Sequence, residues 1–291
     1  MSIYRLIINC AYYPTHAALN SPPVLEAFVT SLRNAGIQPV ENGMDCDAAV
    51  IWSVLWNGRM APNKAIYEHY RSQGKPVFVI DVGALKRNIT WKIAVNNING
   101  LGHYGHTENL DPDRPGKLGL QLHKCKPNDK ILLCGQHQKS LQWQGQPSMS
   151  NWILHMIGEL RRYTDRHIRI RPHPRSRIAG IEHEYKNCSL ETPQKMPGTY
   201  DQFDIHYEYH LVVNYCSGPG IKAGIDGANV LVDRSSLAYP ISTQLQYVEN
   251  PPTVDRELWF QQICHTEYTL EEIAEGLWLK RLSDYLEQIK L

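Results

Sequence analysis

The stretch HLVVNYCSGPGIKAGIDGANVLVDR, His210 to Arg234, decides the fold class. An apolar run typical of a strand, Leu211 to Val213, leads into a turn of small residues, Ser217 to Gly220. A helix over Ile221 to Asp226 and a second apolar run, Val230 to Val232, complete the order strand, turn, helix, strand. That order is typical of an open α/β sheet, which binds ligands at the carboxyl ends of its strands.

The turn itself predicts an anion site. A helix start offers free backbone N–H groups and the positive end of the helix dipole. Gly218 and Gly220 lack a Cβ, so a phosphate could approach the backbone closely. The alternative is an ordinary strand-to-helix turn that binds nothing.

Apolar strands alternate with helices on both sides of a Pro- and Gly-bearing junction at Pro112 to Pro127, which predicts two Rossmann-like domains, 1–125 and 126–268, followed by a C-terminal helix within 269–291. Thr269 and Glu272 form a capping box that opens this last helix. The other predicted strands are Tyr4 to Asn9, Ala48 to Trp52, Pro76 to Ile80, Lys130 to Cys134 and His167 to Arg171. The other predicted helices are Pro22 to Ala35 with Ser21 as its N-cap, Ala61 to Gln73, and Asn151 to Tyr163.

Composition excludes several classes of protein. The chain of 291 residues has a formal net charge of +1, which gives no global electrostatic footprint for nucleic acid. It has no long apolar run and no secretory leader pattern, so we expect a cytoplasmic protein without a membrane span. The seven cysteines are scattered without C-x-x-C spacing, and His103 and His106 have no third ligand spaced with them. We therefore predict no metal site.

Asp81 follows the apolar strand of the first half at its carboxyl tip. A carboxylate at that edge could accept a proton from a hydroxyl as a general base. Alternatively, it could cap the following loop by accepting backbone N–H bonds.

Cations surround an aromatic residue in the first half, a composition that suits a nucleic-acid backbone with a base stacked nearby. The alternative is a solvated charged face with one Trp in the core. The candidate nucleic-acid-binding residues are Arg59, Lys64, Lys86, Arg87, Trp91 and Lys92.

Polar residues in the second half follow several strand tips, which we expect to converge at one edge of the sheet. Two prolines fix His173 between two arginines, whose guanidinium groups could clamp a phosphate. The alternative is a structural His beside surface arginines. The candidate donor-binding residues are Gln136, Arg171, His173, Arg175, Ser217, Gly218, Gly220, Lys222, Arg234 and Ser235.

The pattern across nearly all of the chain resembles the GT-B glycosyltransferases. His173-Pro174 and Ser217-Gly218 resemble the HP and S motifs of nucleotide-sugar transferases that act on capsules and sialosides. The run from Asn57 to Asp81 resembles, more loosely, the phage DNA β-glucosyltransferase that modifies 5-hydroxymethylcytosine. The resemblance implies two Rossmann-like domains that face a cleft, with the C-terminal helix crossing back to the first domain. It also implies a nucleotide-sugar donor, taken here as UDP-linked, no other cofactor, and a location in the host cytoplasm if a phage encodes the chain.

The resulting hypothesis is an inverting, metal-independent glycosyltransferase in which Asp81 is the base. Its expected partners are the donor and double-stranded DNA bearing a 5-hydroxymethylpyrimidine, without an obligate protein partner. One alternative is the same fold acting on a surface polysaccharide or small metabolite. Others are a dinucleotide-dependent oxidoreductase, from Gly218-x-Gly220-x-x-x-Gly224, and a non-catalytic nucleotide-sugar-binding module.

Overall fold

The computed structural model describes residues 7–105, 107–108, 110–124, 126–176, 178, 180–198 and 202–288. The chain divides into two compact units. Unit 1 comprises Met1–Arg114, Lys139–Leu141 and Gln262–Leu291, and unit 2 comprises Pro115–Gln138 and Gln142–Gln261. These limits differ from the expected domains 1–125, 126–268 and 269–291. The chain leaves unit 1 after Arg114, returns to it over Lys139–Leu141 and rejoins it at Gln262.

The strands are β1 (Asn9–Tyr12), β2 (Gln38–Glu41), β3 (Ala48–Trp52), β4 (Val77–Val82), β5 (Trp91–Val95), β6 (Ile131–Cys134), β7 (Ile168–Arg171), β8 (Cys188–Leu190), β9 (Gln194–Lys195), β10 (Phe203–Asp204), β11 (Leu211–Asn214), β12 (Asn229–Val232) and β13 (Glu267–Tyr268). The α-helices are α1 (Pro22–Asn34), α2 (Asn63–Ser72), α3 (Arg114–Lys117), α4 (Met149–Arg161), α5 (Gly218–Ile225), α6 (Glu257–Cys264), α7 (Leu270–Ala274) and α8 (Leu277–Gln288). Among the described residues, no helix combines the length and apolar character needed to cross a bilayer.

The sheet of unit 1 has the strand order β13-β5-β4-β3-β1-β2. Strands β2, β1, β3 and β4 are parallel, whereas β5 and β13 are antiparallel to their neighbours. The expected first strand, Tyr4 to Asn9, is wrong in position, since the pairing strand is Asn9–Tyr12 and Tyr4 to Leu6 lie outside the described residues. The strand forms there because Cys10 and Ala11 are small enough to be fully buried between neighbouring strands.

The C-terminal segment belongs to unit 1. The indole of Trp278 stacks on Phe28 at 4.3 Å between ring centroids, and its Nε1 donates to the Ser31 hydroxyl at 3.0 Å. The capping box of Thr269 and Glu272 is confirmed. The expected single helix is in fact two helices, α7 and α8, because Gly276 between them has φ +73°, which ends the first helix.

Unit 2 contains a sheet of five parallel strands in the order β12-β11-β6-β7-β8. Its central strands β6 and β11 are buried along their whole length, as expected for a parallel sheet covered on both faces. The helix after β11 begins at Gly218 rather than at Ile221, because Pro219 is tolerated in a first helical turn. Ser148 caps α4 through its side chain, whereas the side chain of Ser21 makes no capping bond at α1.

Candidate functional site

Three side chains form a buried row at the carboxyl ends of the central strands of unit 2. Asn214 on β11 lies in register with Cys134 on β6, and Cys134 lies in register with Arg171 on β7. Register partners in a parallel sheet point to the same face. Each of these residues is at most 4% exposed, so the strand ends present polar groups shielded from bulk water.

Gln136 and Asn214 connect the tips of β6 and β11. The Gln136 Oε1 accepts a bond from the Cys216 backbone N–H at 3.3 Å, and the Asn214 Nδ2 donates to the Ser217 hydroxyl at 2.9 Å. The remaining polar atom of each amide, Gln136 Nε2 and Asn214 Oδ1, is buried and has no hydrogen-bond partner among the described residues. Such atoms are costly without a partner, which marks this edge as a place for a polar ligand.

The helix α5 starts directly beside these amides. Ser217 is its N-cap residue, but its hydroxyl makes no capping bond to the helix. Gly220 has a packing role, because a Cβ there would lie 3.0 Å from Val232 Cγ1 and 3.5 Å from Ala238 Cβ. Its lack of a side chain thus serves close packing of helix on strand. The approach of a phosphate to its backbone stays a prediction. Gly224 is also a packing residue, since a Cβ there would lie 2.7 Å from the Trp259 ring.

His173 lies at the tip of β7, where its Nδ1 accepts a bond from the Arg175 backbone N–H at 3.1 Å. A neutral imidazole that accepts at Nδ1 carries its proton on Nε2, so His173 can donate from that nitrogen. Its ring meets His137 edge to face, at 5.3 Å between centroids. His137 follows β6, so the histidine pair connects the tips of β6 and β7.

Arg171 does not have the phosphate-clamping geometry expected from the sequence. Its Nε and Nη2 donate to Glu191 Oε1 at 2.9 and 2.5 Å, and its Nη2 also donates to the His206 carbonyl at 3.0 Å. The guanidinium lies over the rings of Tyr207 and Tyr209. Arg171 is therefore a buried partner of Glu191, and only its Nη1 has no partner among the residues described.

The Glu191 carboxylate responds to this environment. Burial raises its pKa, but hydrogen bonds from Tyr209 and Arg171 and the charge of Arg171 outweigh burial, so the pKa is lower than its usual value. Glu191 is thus ionised near neutral pH and keeps Arg171 in place.

The other candidate donor-binding residues lie around the same strand edge in different states. Arg175 and Arg234 are exposed. Lys222 forms an ion pair with Asp226 at 3.2 Å along α5. The Ser235 hydroxyl donates to Asp233 at 2.6 Å. Their assignment to a donor stays a prediction, and Lys222 and Ser235 would have to exchange these partners to contact a ligand.

Asp81 in unit 1 is the penultimate residue of β4. Its Oδ2 accepts a bond from the Ser53 hydroxyl at 2.8 Å, and its Oδ1 accepts from the Val82 backbone N–H at 2.7 Å. Burial raises the pKa of Asp81, while these two bonds and the charges of Lys92 and Arg87 act in the opposite direction. A raised carboxyl pKa is the shift that a general base working near neutral pH requires.

Glu267 fixes the loop that follows Asp81. Its carboxylate accepts bonds from the backbone N–H groups of Ala84 and Leu85, at 2.7 and 3.1 Å, and from the Thr90 hydroxyl at 2.7 Å. A Cβ on Gly83 would lie 2.3 Å from the Thr90 carbonyl and 2.4 Å from Glu267 Oε2. Only glycine fits at that position, so the loop after β4 has one tightly defined course.

Two of the candidate nucleic-acid-binding residues are buried, which corrects the prediction for them. The Trp91 side chain packs in the core of unit 1 at 7% exposure, so its ring is not available to stack on a base. Lys92 is also 7% exposed, directly opposite Asp81 on one side and Glu267 on the other. Strand pairing between β4, β5 and β13 places both residues inside the sheet.

The remaining four cations lie in or near loops that follow β3 and β4. Arg59 is exposed and donates to the Ala17 carbonyl at 3.2 Å. Lys64 is exposed and lies 3.7 Å from Glu68. Lys86 and Arg87 are half-buried in the loop after Asp81. These residues follow strands that end at the same edge as Asp81, and their contact with an acceptor stays a prediction.

His103 stacks on Tyr285, with 3.8 Å between ring centroids, and His106 lies outside the described residues. Burial lowers the pKa of His103, with a further contribution from the charge of Arg71. Across the part of the chain that the structure describes, no three His, Cys, Asp or Glu side chains are grouped as metal ligands.

Sequence reasoning missed Asn214, His137 and Ser53. The sequence does contain a signal for Asn214, since this polar residue ends an apolar strand just before a Gly-rich turn. His137 follows the predicted Gln136 directly. Ser53 directly follows β3 and Asp81 lies near the end of β4, but nothing in the sequence shows that their side chains meet.

No family model matches the chain, and no curated protein matches it. Among solved structures, the chain is similar to Thermosulfurimonas dismutans KpsC, beta Kdo 2,4 transferase, with 10% identity and a TM-score of 0.51 over 93% of this chain and 98% of that one. The beta Kdo 2,7 transferase of the same KpsC gives 12% identity and a TM-score of 0.47, over 94% and 99%. AviGT4, a glycosyltransferase involved in avilamycin A biosynthesis, gives 10% identity and a TM-score of 0.36, over 97% of each chain.

Of these three likenesses, the first carries an argument, and it concerns the fold alone because the identity is low. Function does not follow from fold. Taken with the strand orders of the two sheets, the likeness shows an α/β chain of two Rossmann-like units, of the GT-B type, whose C-terminal segment returns to the first unit.

Proposed function

We propose that this chain is a glycosyltransferase that moves a sugar from a nucleotide-sugar donor to a hydroxyl acceptor. The observation that carries the proposal is the carboxyl edge of the sheet in unit 2. Two buried amides there, Gln136 and Asn214, each leave one polar atom without a partner among the described residues, directly beside the start of α5. Backbone N–H groups at a helix start bind phosphate oxygens, so a nucleoside diphosphate matches this edge.

The same edge supplies groups that stabilise a leaving diphosphate. The His173 Nε2 can donate a hydrogen bond because Nδ1 is already an acceptor. Negative charge develops on the leaving group as the glycosidic bond breaks, and fixed donors lower the barrier by binding that charge. Arg175 and Arg234, both exposed near these tips, would add positive charge.

Asp81 is the base of the proposed reaction. A carboxylate with a raised pKa, fixed by two hydrogen bonds, would accept the proton of the attacking hydroxyl. A hydroxyl that attacks the anomeric carbon opposite the leaving group inverts its configuration, so the proposed enzyme is inverting.

For the acceptor we propose a 5-hydroxymethylpyrimidine in double-stranded phage DNA, flipped out of the base stack. The support is a set of four cations that follow the strands ending beside Asp81, namely Arg59, Lys64, Lys86 and Arg87. The burial of Trp91 and Lys92 and the net charge of +1 favour the second candidate, a surface polysaccharide or small metabolite as acceptor.

The test is a product assay with a panel of UDP-, GDP-, ADP-, TDP- and CMP-linked sugars. Each donor is offered with hydroxymethylated duplex DNA, with unmodified DNA, with oligosaccharides and with small alcohols. Mass spectrometry of the digested nucleosides and of the glycans should show the mass of one sugar added to one acceptor class. Addition to the modified base alone supports the DNA acceptor, and addition to glycan alone supports the second candidate. If no pair gives transfer or nucleotide release, the proposed activity is contradicted. Nicotinamide oxidation would point to the oxidoreductase instead.

A further inference from the structure

Ser53 occupies an unusual backbone position next to Asp81. It follows the last residue of β3, is 5% exposed and has φ +62°. Its backbone N–H donates to the Ile80 carbonyl at 2.7 Å, which ties it to β4. Non-glycine residues adopt this left-handed region at a cost in free energy, and such residues cluster at functional sites.

The direction of the hydrogen bonds around the Ser53 hydroxyl follows from its partners. The Leu55 backbone N–H can only donate, so the Ser53 Oγ accepts from it at 3.1 Å. The hydroxyl proton is then directed to Asp81 Oδ2 at 2.8 Å. Since Val82 N–H holds Oδ1, both carboxylate oxygens are fixed in one orientation.

Glycine would adopt the positive φ of Ser53 with less strain, but it could not supply the hydroxyl. We propose that Ser53 is a positioning residue for Asp81, whose hydroxyl holds the carboxylate in the orientation that accepts a proton and stabilises its ionised form. The inference rests on the proposed function, in which Asp81 is the base.

Other charged groups also face Asp81. Lys92 lies opposite it on β5, Arg87 comes from the loop after β4, and Glu267 lies beyond Lys92 on β13. Burial raises the pKa of Asp81, and the bond from Ser53 is the largest influence that lowers it. Removing that bond while leaving the three charged groups in place should raise the pKa further.

The experiment compares Ser53→Ala with Ser53→Gly. Both variants lose the hydroxyl, but only glycine relieves the backbone strain, so Ser53→Gly should melt at a higher temperature than Ser53→Ala. Ser72→Ala controls for loss of a serine hydroxyl at an exposed position, and Asn42→Gly controls for relief of a positive φ elsewhere in unit 1. Both controls should keep wild-type activity.

For a bond to an ionised group we expect kcat/KM to fall about 10- to 150-fold in both Ser53 variants, with the donor KM unchanged. The acid limb of the pH profile should move to higher pH, because the base must be ionised and its pKa has risen. A second readout needs no substrate. Titration of the ¹³C-labelled Asp81 carboxyl, assigned with Asp81→Asn, should show a higher pKa in Ser53→Gly than in the wild type.

An unchanged Asp81 titration in Ser53→Gly, or activity that follows melting temperature alone, overturns the positioning role of Ser53. Failure of the proposed function has a different signature. In that case Asp81→Asn keeps full activity. The Asp81 carboxyl, in proteins that retain it, still titrates at a higher pH in Ser53→Gly than in the wild type.

Discussion

Asp81 and Glu267 in unit 1 differ from Gln136 and Asn214 in unit 2 in how the protein satisfies their polar atoms. In unit 1, both oxygens of Asp81 and both oxygens of Glu267 accept hydrogen bonds from the protein. In unit 2, Gln136 Nε2 and Asn214 Oδ1 are buried without a partner among the described residues. A carboxylate with both oxygens hydrogen-bonded is held in one orientation, whereas an amide with an atom that lacks a partner gains most from a ligand that supplies one. Two Rossmann-like sheets of one chain can thus serve different steps of a reaction.

The largest effect should come from Asp81. Asp81→Asn removes the base, so the transfer rate should fall by about 10²- to 10⁴-fold while nucleotide binding stays at the wild-type level. Initial rates and nucleotide titrations of the same preparation measure both properties. Asp113→Asn is the matched control, because Asp113 is an exposed carboxylate in unit 1. Transfer at the wild-type rate in Asp81→Asn would remove the base from the account.

The next prediction concerns stability. It tests whether Arg171 stabilises the fold as a partner of Glu191 rather than binding the nucleotide. Arg171→Met leaves the half-buried Glu191 carboxylate with the Tyr209 hydroxyl as a donor but without its cation, and should lower the free energy of unfolding by about 3 kcal/mol. The double variant Arg171→Met with Glu191→Leu should recover most of that loss, as chemical denaturation can show. If Arg171→Met instead keeps its stability and loses nucleotide binding, Arg171 is a phosphate clamp after all.

A smaller effect should come from the Asn214 amide at the carboxyl edge of the unit 2 sheet. Asn214→Leu keeps the approximate volume but removes the amide, so nucleotide affinity should fall by about 1–3 kcal/mol, or 5- to 150-fold. The control is Asn229→Leu at the amino end of the same sheet, where the amide donates to the His210 carbonyl at 3.2 Å. Calorimetric titration of both variants gives the comparison. Equal affinities in the two variants would mean that the carboxyl edge binds no nucleotide.

The two edges should also respond to pH with opposite signs. The folded-state pKa of Glu191 is depressed, so its contribution to stability is complete above its unfolded pKa and is lost as pH falls through the folded value. The pKa of Asp81 is raised, so its charge opposes folding, and that opposition disappears as pH falls through the raised pKa. Melting temperatures between pH 3 and pH 8 should therefore show Glu191→Gln most destabilised, relative to wild type, at neutral pH. A difference that grows toward acid pH contradicts this assignment.

The smallest effect concerns the acceptor. If the acceptor is DNA, Lys64→Gln and Arg59→Gln should each reduce the slope of log affinity against log salt by about 1. Binding to hydroxymethylated duplex across a salt series measures the slope. Glu68→Gln, at the partner of Lys64, is the control in which no phosphate contact is lost. Slopes that stay unchanged in both cation variants favour a polysaccharide or metabolite acceptor.

The sequence predicted the elements that have a local cause. The apolar runs at β3, β4, β6 and β11, and the capping box at Thr269, follow from side-chain periodicity and local hydrogen bonds. It could not predict the pairing of Arg171 with Glu191 or of Ser53 with Asp81, because these residues are far apart in the chain and meet only through strand order. Trp91 and Lys92 were misassigned for a related reason. Their charged and aromatic character resembles a binding surface, and only the pairing of β5 between β4 and β13 shows that they are buried.

In the proposed reaction, unit 2 binds the nucleotide while unit 1 supplies the base. A single experiment titrates a panel of nucleotide sugars into the wild type, Asp81→Asn and Asn214→Leu without acceptor, and then adds the acceptor to measure sugar transfer in the same samples. We expect Asp81→Asn to bind the donor as tightly as the wild type and to transfer sugar about 10²- to 10⁴-fold more slowly, whereas Asn214→Leu should bind more weakly and transfer in proportion to the bound donor. Nucleotide binding that is lost in Asp81→Asn and retained in Asn214→Leu would contradict both expectations.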